Sequence, residues 1–321
     1  MAVVTAVQTG LLPLHATPGD QPLPLTPIRL LTAWEPDALV LVPLLLVAAL
    51  YIWAVVVLRR RGDAWSMSRT LVFCLGGLGS AAIATLSALA EYDTVLISMH
   101  MAQHMILAMA TPMFLALGAP VTLALRTLPP RPRRLLLWLL HSRLAKVLTF
   151  PPLTLALYIA NPFALYFSPL YEMSLRSPVL HDMLHLHFVL IGALFFWPLV
   201  GVDPLPGKVS YPLRVLMLFL SLPFHAFLGV TIMGSTRLIA GDWYLSFDRT
   251  WGPSPQRDQY LAGSILWGSG DLVALAVMAV LFVQWVRQSH AEARREDRRL
   301  DRLEAAERRR TRETTIAGHE R

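Results

Sequence analysis

The sequence predicts an all-α integral membrane protein, a seven-transmembrane helix bundle with its N-terminus outside and its C-terminus in the cytoplasm. Three observations carry this. The chain is 55% hydrophobic and only 15% charged, with a mean hydropathy of +0.51, which is a membrane composition. Seven apolar runs, near 38–58, 70–90, 98–124, 151–168, 179–200, 212–234 and 262–286, come close to the ~20 residues a helix needs to cross ~30 Å of hydrocarbon. With loops assigned alternately to the two sides, all but Arg29, Arg176, Arg237, Arg249 and Arg257 of the 28 Lys and Arg fall on one side, and the positive-inside rule makes that side the cytoplasm. The net charge of +7 then reports topology and not nucleic-acid binding.

Taken in order, residues 1–37 read as a Pro-rich extracytoplasmic arm, 38–286 as the membrane domain and 287–321 as a charged cytoplasmic tail. The arm lacks the basic stretch, short apolar core and small-residue cleavage site of a signal peptide. Span one ends at Arg59, Arg60 and Arg61 and carries no buried polar group, so it reads as an anchor. Span two holds Gly76, Gly77, Gly79, Ser80, Ala81 and Ala82, small residues that let neighbouring helices approach closely. Cys74, the single cysteine, excludes a disulfide framework and a CxxC motif.

Span three follows the acidic turn Glu91-Tyr92-Asp93 and places His100 and His104 in its first two turns, with Met101, Met105, Met109 and Met113 as a stripe on another face. The two deeper methionines read as packing; Pro112 and Pro120 loosen the inner half by removing backbone donors. Span four contains Asn161-Pro162, read as a kink. Span five opens with His181, His185 and His187, and span six carries His225 in its outer half. The loop Ser235 to Tyr260, with Asp242, Trp243, Tyr244, Asp248 and Asp258, reads equally as a lid over the outer mouth or as an interfacial aromatic belt. Span seven carries Asp271, and a carboxylate inside a span requires a partner.

This topology, fixed by the arginines, brings His100, His104, His181, His185, His187 and His225, six of the ten histidines, to one membrane face. Residues four apart share a helix face, so His100 with His104 and His181 with His185 form two pairs, while His187 points elsewhere. Imidazole suits copper, zinc and iron, and thioether sulfur favours cuprous copper. The expected copper site is therefore His100, His104, His181 and His185, with His187 and His225 as further ligands or support. Met101 and Met105 are expected as soft auxiliary ligands, and Asp182 and Asp271 as carboxylates orienting ring N–H groups. Binding should weaken as pH falls through ~6.5, where protons compete for imidazole. Zinc is the alternative metal: His181, His185, His225 and Asp271 imitate the centres of seven-span ceramidase-like hydrolases. A copper transporter is a further alternative, although the inner halves of the spans offer few polar ligands. Haem would need axial histidines from different helices. No believable phosphate-loop, dinucleotide or nucleophile-elbow pattern is present.

The stretches HMAQHM (His100 to Met105), GAPVTLALR (Gly118 to Arg126), HDMLHLHFVLIGALFFWPLVGVDPLP (His181 to Pro206), PFHAFLGV (Pro223 to Val230), AGDWY (Ala240 to Tyr244) and DQYLAGSILWGSGDL (Asp258 to Leu272) together resemble the multi-spanning CtaG-type cytochrome c oxidase assembly factors. The resemblance runs from about Thr26 to Arg287. It implies a non-enzymatic role in maturing haem-copper oxidases, thought to include furnishing copper, with cytochrome c oxidase subunits and membrane lipid as partners. It also implies a multi-pass protein of the bacterial plasma membrane. The family often has a Glu at the position of Asp271, so the carboxylate is kept here on a shorter arm.

Overall fold

In a computed structural model, residues 23–34, 36–206, 209–247 and 249–319 are described, with side chains to Ala305. Residues 1–22 of the expected arm, as well as Lys208 and Asp248, lie outside them. The chain divides into two compact units, Met1–Leu275 and Ala276–Arg321. Among the described residues every regular element is helical.

Among the described residues, six helices are long and apolar enough to cross a membrane: α1 (Ala38–Arg60), α2 (Met67–Tyr92), α3 (Ile97–Thr127), α5 (Pro178–Val200), α6 (Tyr211–Gly234) and α7, described as a span over Pro255–Ala305. The remaining run forms α4, Pro151–Tyr166, at 16 residues. At 1.5 Å per residue it is ~24 Å long, short of a hydrocarbon core. Its two ends nevertheless touch opposite ends of the bundle. Thr149, just before it, donates to the Pro206 carbonyl beyond the end of α5, whereas Tyr166 at its other end meets His104 near the start of α3. Asn161-Pro162 does not interrupt it.

The helices are built from local signals. Asp37, Ser177 and Ser87 cap α1, α5 and the last turns of α2 with side-chain oxygens, satisfying otherwise orphaned amides. α1 buries only Tyr51, Ala54, Val55 and Leu58. Tyr51 stacks on Phe73 at 4.0 Å and donates to the Gly118 carbonyl. The small residues of α2 serve close approach as expected, with Gly76 and Gly77 against Phe114 and Leu115.

Helix α3 is wound in pieces: a regular start to Met105, a wide π-turn over Ile106–Ala110, a regular stretch Thr111–Leu117, and a final segment Pro120–Thr127 behind a left-handed Ala119. The wide turn directly precedes Thr111-Pro112, so the backbone disturbed by that proline is re-bonded within the bundle. Opposite the turn stands Gly192 of α5, where a Cβ would lie 2.1 Å from the Ala108 carbonyl oxygen; only glycine allows the two backbones so near.

At the arginine end, Asp203 caps the Pro120–Thr127 segment from a distant part of the chain. It accepts from the Val121 and Thr122 amides, the Thr122 hydroxyl and the Trp197 ring N–H. Gly201, at φ +61°, ends α5 in the left-handed conformation, and the space a side chain would fill is taken by the buried Arg214 guanidinium. Arg214 donates to the Val209 and Leu199 carbonyls.

The opposite end is tied by long-range bonds. Asp258, at the start of α7, accepts from the Ser98 hydroxyl and amide at the start of α3. Gln259 accepts from the Ile239 amide and donates to the Ile232, Ser235 and Arg237 carbonyls. Arg29, on the short helix Pro27–Thr32, pairs with Glu91 and donates to Tyr92, and these bonds hold the guanidinium above its ordinary pKa. In the second unit the chain is helical to His319, and its side chains to Ala305 are predominantly exposed, with the charged residues beginning at Arg287.

Candidate metal centre

The starts of α3 and α5 lie side by side, and the turn before α3 closes over them. Asp93, in that turn, is fully buried, as are His100 of α3 and His181 of α5; His185 is 7% exposed. A buried carboxylate is costly unless strongly partnered. Asp93 Oδ2 lies 2.9 Å from His181 Nε2 and 3.5 Å from His185 Nε2, and one ligand atom from each of the three residues lies within 4.8 Å of the others.

These spacings suit an ion. Ligand atoms at ~2.0–2.1 Å from a tetrahedral metal stand ~3.3 Å from one another, between the two separations found. Imidazole centroids would each lie ~3.2 Å from that ion, so two rings sharing it stand ~4.5–6.4 Å apart. The His181 and His185 centroids are 4.7 Å apart, and those of His100 and His181 are 5.8 Å apart. His100 supplies the most pointed observation: it is 0% exposed, and among the described residues neither ring nitrogen has a hydrogen-bond partner. An unsatisfied buried polar group costs ~1–3 kcal/mol; the His100 ring lies next to the Asp93, His181 and His185 cluster without being one of the three residues that converge there.

The other expected residues are distributed as follows. His104 lies one turn deeper; its Nδ1 is 2.5 Å from the Tyr166 hydroxyl and its ring stacks on Phe188 at 4.0 Å. His225 is buried deeper in the bundle beside Tyr158, ring centroids 5.1 Å apart, with a long 3.4 Å contact from Nδ1 to the Ser221 carbonyl. Met105 and His225 both approach Gly270, next to Asp271, which is half-buried and interacts electrostatically with His225. Met101 is fully buried. His187 sits on the opposite face of α5, exposed, 2.6 Å from Asn161 Oδ1. Asp182 is half-buried and interacts electrostatically with His185, and Asp93 is a carboxylate in direct contact with the His181 and His185 rings.

Sequence reasoning passed over Asp93, Tyr166 and Tyr171. Tyr171, fully buried on the helix Leu170–Leu175, lies 4.7 Å from the His100 ring and shares a 2.6 Å hydrogen bond with Tyr244. Burial pushes both phenols well above their ordinary pKa, so they remain neutral donors. The loop after α6 folds inward here: Trp243 and Tyr244 are both buried, and the Trp243 ring N–H donates to the Thr94 carbonyl at 2.7 Å. These two aromatics cover the centre and do not form a belt in lipid.

Fold and site together define a polytopic helical membrane protein with a buried His/Asp centre near one end of the bundle. A family model described as cytochrome c oxidase caa3 assembly factor matches residues 49–288, and the chain belongs to that family. It is also 38% identical over 289 residues to an uncharacterized protein of Mycobacterium bovis and to one of Mycobacterium tuberculosis, and 36% identical to one of Mycobacterium leprae. Each alignment covers 88% of this chain but 44% of the relative, so the chain spans under half the length of these curated relatives. No solved structure matches.

Proposed function

We propose that this membrane protein is a non-enzymatic factor that binds copper in the Asp93–His100–His181–His185 centre and supplies it to a cytochrome c oxidase during maturation. In this reading it sits in a bacterial plasma membrane with the histidine end on the extracytoplasmic side, as the arginine distribution favours. Helix α4, whose ends touch opposite ends of the bundle, is then a seventh, short crossing. The local bilayer thins to meet it, at a modest cost.

The observation that carries the proposal is His100, buried with both ring nitrogens unpartnered beside a carboxylate that two further imidazoles approach. Three nitrogens and one oxygen form a borderline-hard set, for which the divalent first-row order places cupric copper highest. Met101 and Met105 would then act in packing, and the soft, cuprous set expected from sequence is not required. His104, His187 and His225 lie outside this first set of donors.

The same donors suit zinc, whose catalytic sites keep three protein ligands and an open position; Asp93 beside two histidines favours this as the second reading, an intramembrane hydrolase. Purified protein from cells grown with both metals separates the two. Stoichiometric copper, with nitrogen hyperfine structure in its electron paramagnetic resonance spectrum and loss of oxidase maturation on gene deletion that added copper relieves, supports the first. Stoichiometric zinc with hydrolysis of a lipid amide overturns it.

A further inference from the structure

Beside the histidine centre lies a cavity of about 310 Å3, lined among others by Tyr166, Tyr171, Glu172, Ser235, Arg237 and Ala240. Two of these side chains face both ways. Tyr166 lines the cavity and hydrogen-bonds His104; Tyr171 lines it and stands 4.7 Å from His100. Their rings are 5.2 Å apart, so the partition between cavity and centre is one layer of two phenols. On its other sides the centre is closed by Phe188, against His100 and His104, and by Trp243 bonded to Thr94.

We infer that this cavity admits a hydrated divalent metal ion and is the route by which the ion reaches and leaves the Asp93–His181–His185 centre, past the Tyr166 and Tyr171 hydroxyls. The inference rests on the metal-binding reading above and adds where the ion enters. Three features support it. The cavity has room for an ion with its water shell, each water claiming ~30 Å3. Its lining is mixed: Glu172, paired with Arg176, and Arg237 lie around it, and the Tyr166 and Tyr171 hydroxyls, bonded to His104 and Tyr244, supply oxygens on the side toward the histidines. Another cavity, about 360 Å3, is lined by Asn161 and His187 but otherwise mostly by apolar side chains, Leu165, Leu180, Met183 and Leu184 among them.

The test uses the purified full chain in detergent with cupric sulfate as the probe. Two exposed positions of the cavity lining, Ser235 and Arg237, are replaced separately by tryptophan, and Met183→Trp obstructs the other cavity as control. Helix content by circular dichroism checks folding. Ser235→Trp and Arg237→Trp should slow copper uptake, and release to EDTA, by at least about tenfold while the final copper per protein stays at the unsubstituted level. Met183→Trp should load within about twofold of the unsubstituted rate. Uptake at an unchanged rate in both lining variants, slowing by Met183→Trp instead, or a fall in final copper content overturns the route. If the unsubstituted protein takes up no copper, the reading of the centre itself fails, a result distinguishable from all of these.

Discussion

Asp93 and His181, 88 positions apart in the chain, meet at 2.9 Å with both side chains sealed from solvent. The Asp93 carboxylate is in direct contact with both α5 imidazoles, so it holds the charge that a bound cation would balance. Asp93→Asn should therefore lower metal affinity by at least about 10–100-fold, the loss that follows removal of even an indirect partner of a ligating histidine. Competition titration against a chelator of known affinity reads it; an unchanged affinity would move the centre away from Asp93.

Tyr166→Phe leaves the His104 Nδ1 without the 2.5 Å partner it has now. The expected destabilisation is about 1–3 kcal/mol, read as a lowered thermal midpoint in detergent. Equilibrium copper content should hold, because His104 is not among the four donors assigned here. Loss of copper with an unchanged midpoint would place His104 among the ligands.

Gly192→Ala drives a methyl group into the Ala108 carbonyl oxygen at 2.1 Å. Overpacking of a tight site costs about 1–3 kcal/mol or more, and here the relief is to push α5 from α3, the two helices that carry His181, His185 and His100. The variant should lose both stability and metal. Leu190→Ala, a truncation at an exposed position of the same helix, should lose neither, and metal retained in full by Gly192→Ala would show that the two helices can part without opening the centre.

Asp203→Ala removes the cap of the Pro120–Thr127 segment. Loss of a cap costs about 0.5–2 kcal/mol, and this one sits at the arginine end of the bundle. The thermal midpoint should fall while metal stoichiometry and affinity remain as they were; a coupled fall in affinity would mean that the two ends of the bundle communicate.

Six of the seven expected spans were legible because apolar length is a property of each segment alone; the run that forms α4 reaches only 16 helical residues. The pairing of His181 with His185 was legible for the same reason, since i, i+4 spacing is local, and so was the divergence of His187. What could not be read is what lies across from a residue. Asp93 read as one acid of the turn before span three, and only the fold brings the start of α5 against it. His104 kept the spacing of a ligand pair with His100, yet Tyr166 of α4 meets it, and no local pattern marks that tyrosine. For Trp243 and Tyr244 composition was equally consistent with lipid contact and with cover; the bond to Thr94 decides it.

The wide turn at Ile106–Ala110 has a consequence for how α3 tolerates change. A π-turn holds one residue more than the regular helix it interrupts, so it is spare length in an element otherwise rigid in phase. Deleting Ala110 would let the turn relax to a regular helix, with His100 on one side and the Ala116–Gly118 end on the other keeping their bearings. Deleting Ala116 instead has no slack to consume and twists one half against the other by about 100°. Both deletions leave the same number of apolar residues in the span, and only the first should leave a chain that still holds its ion.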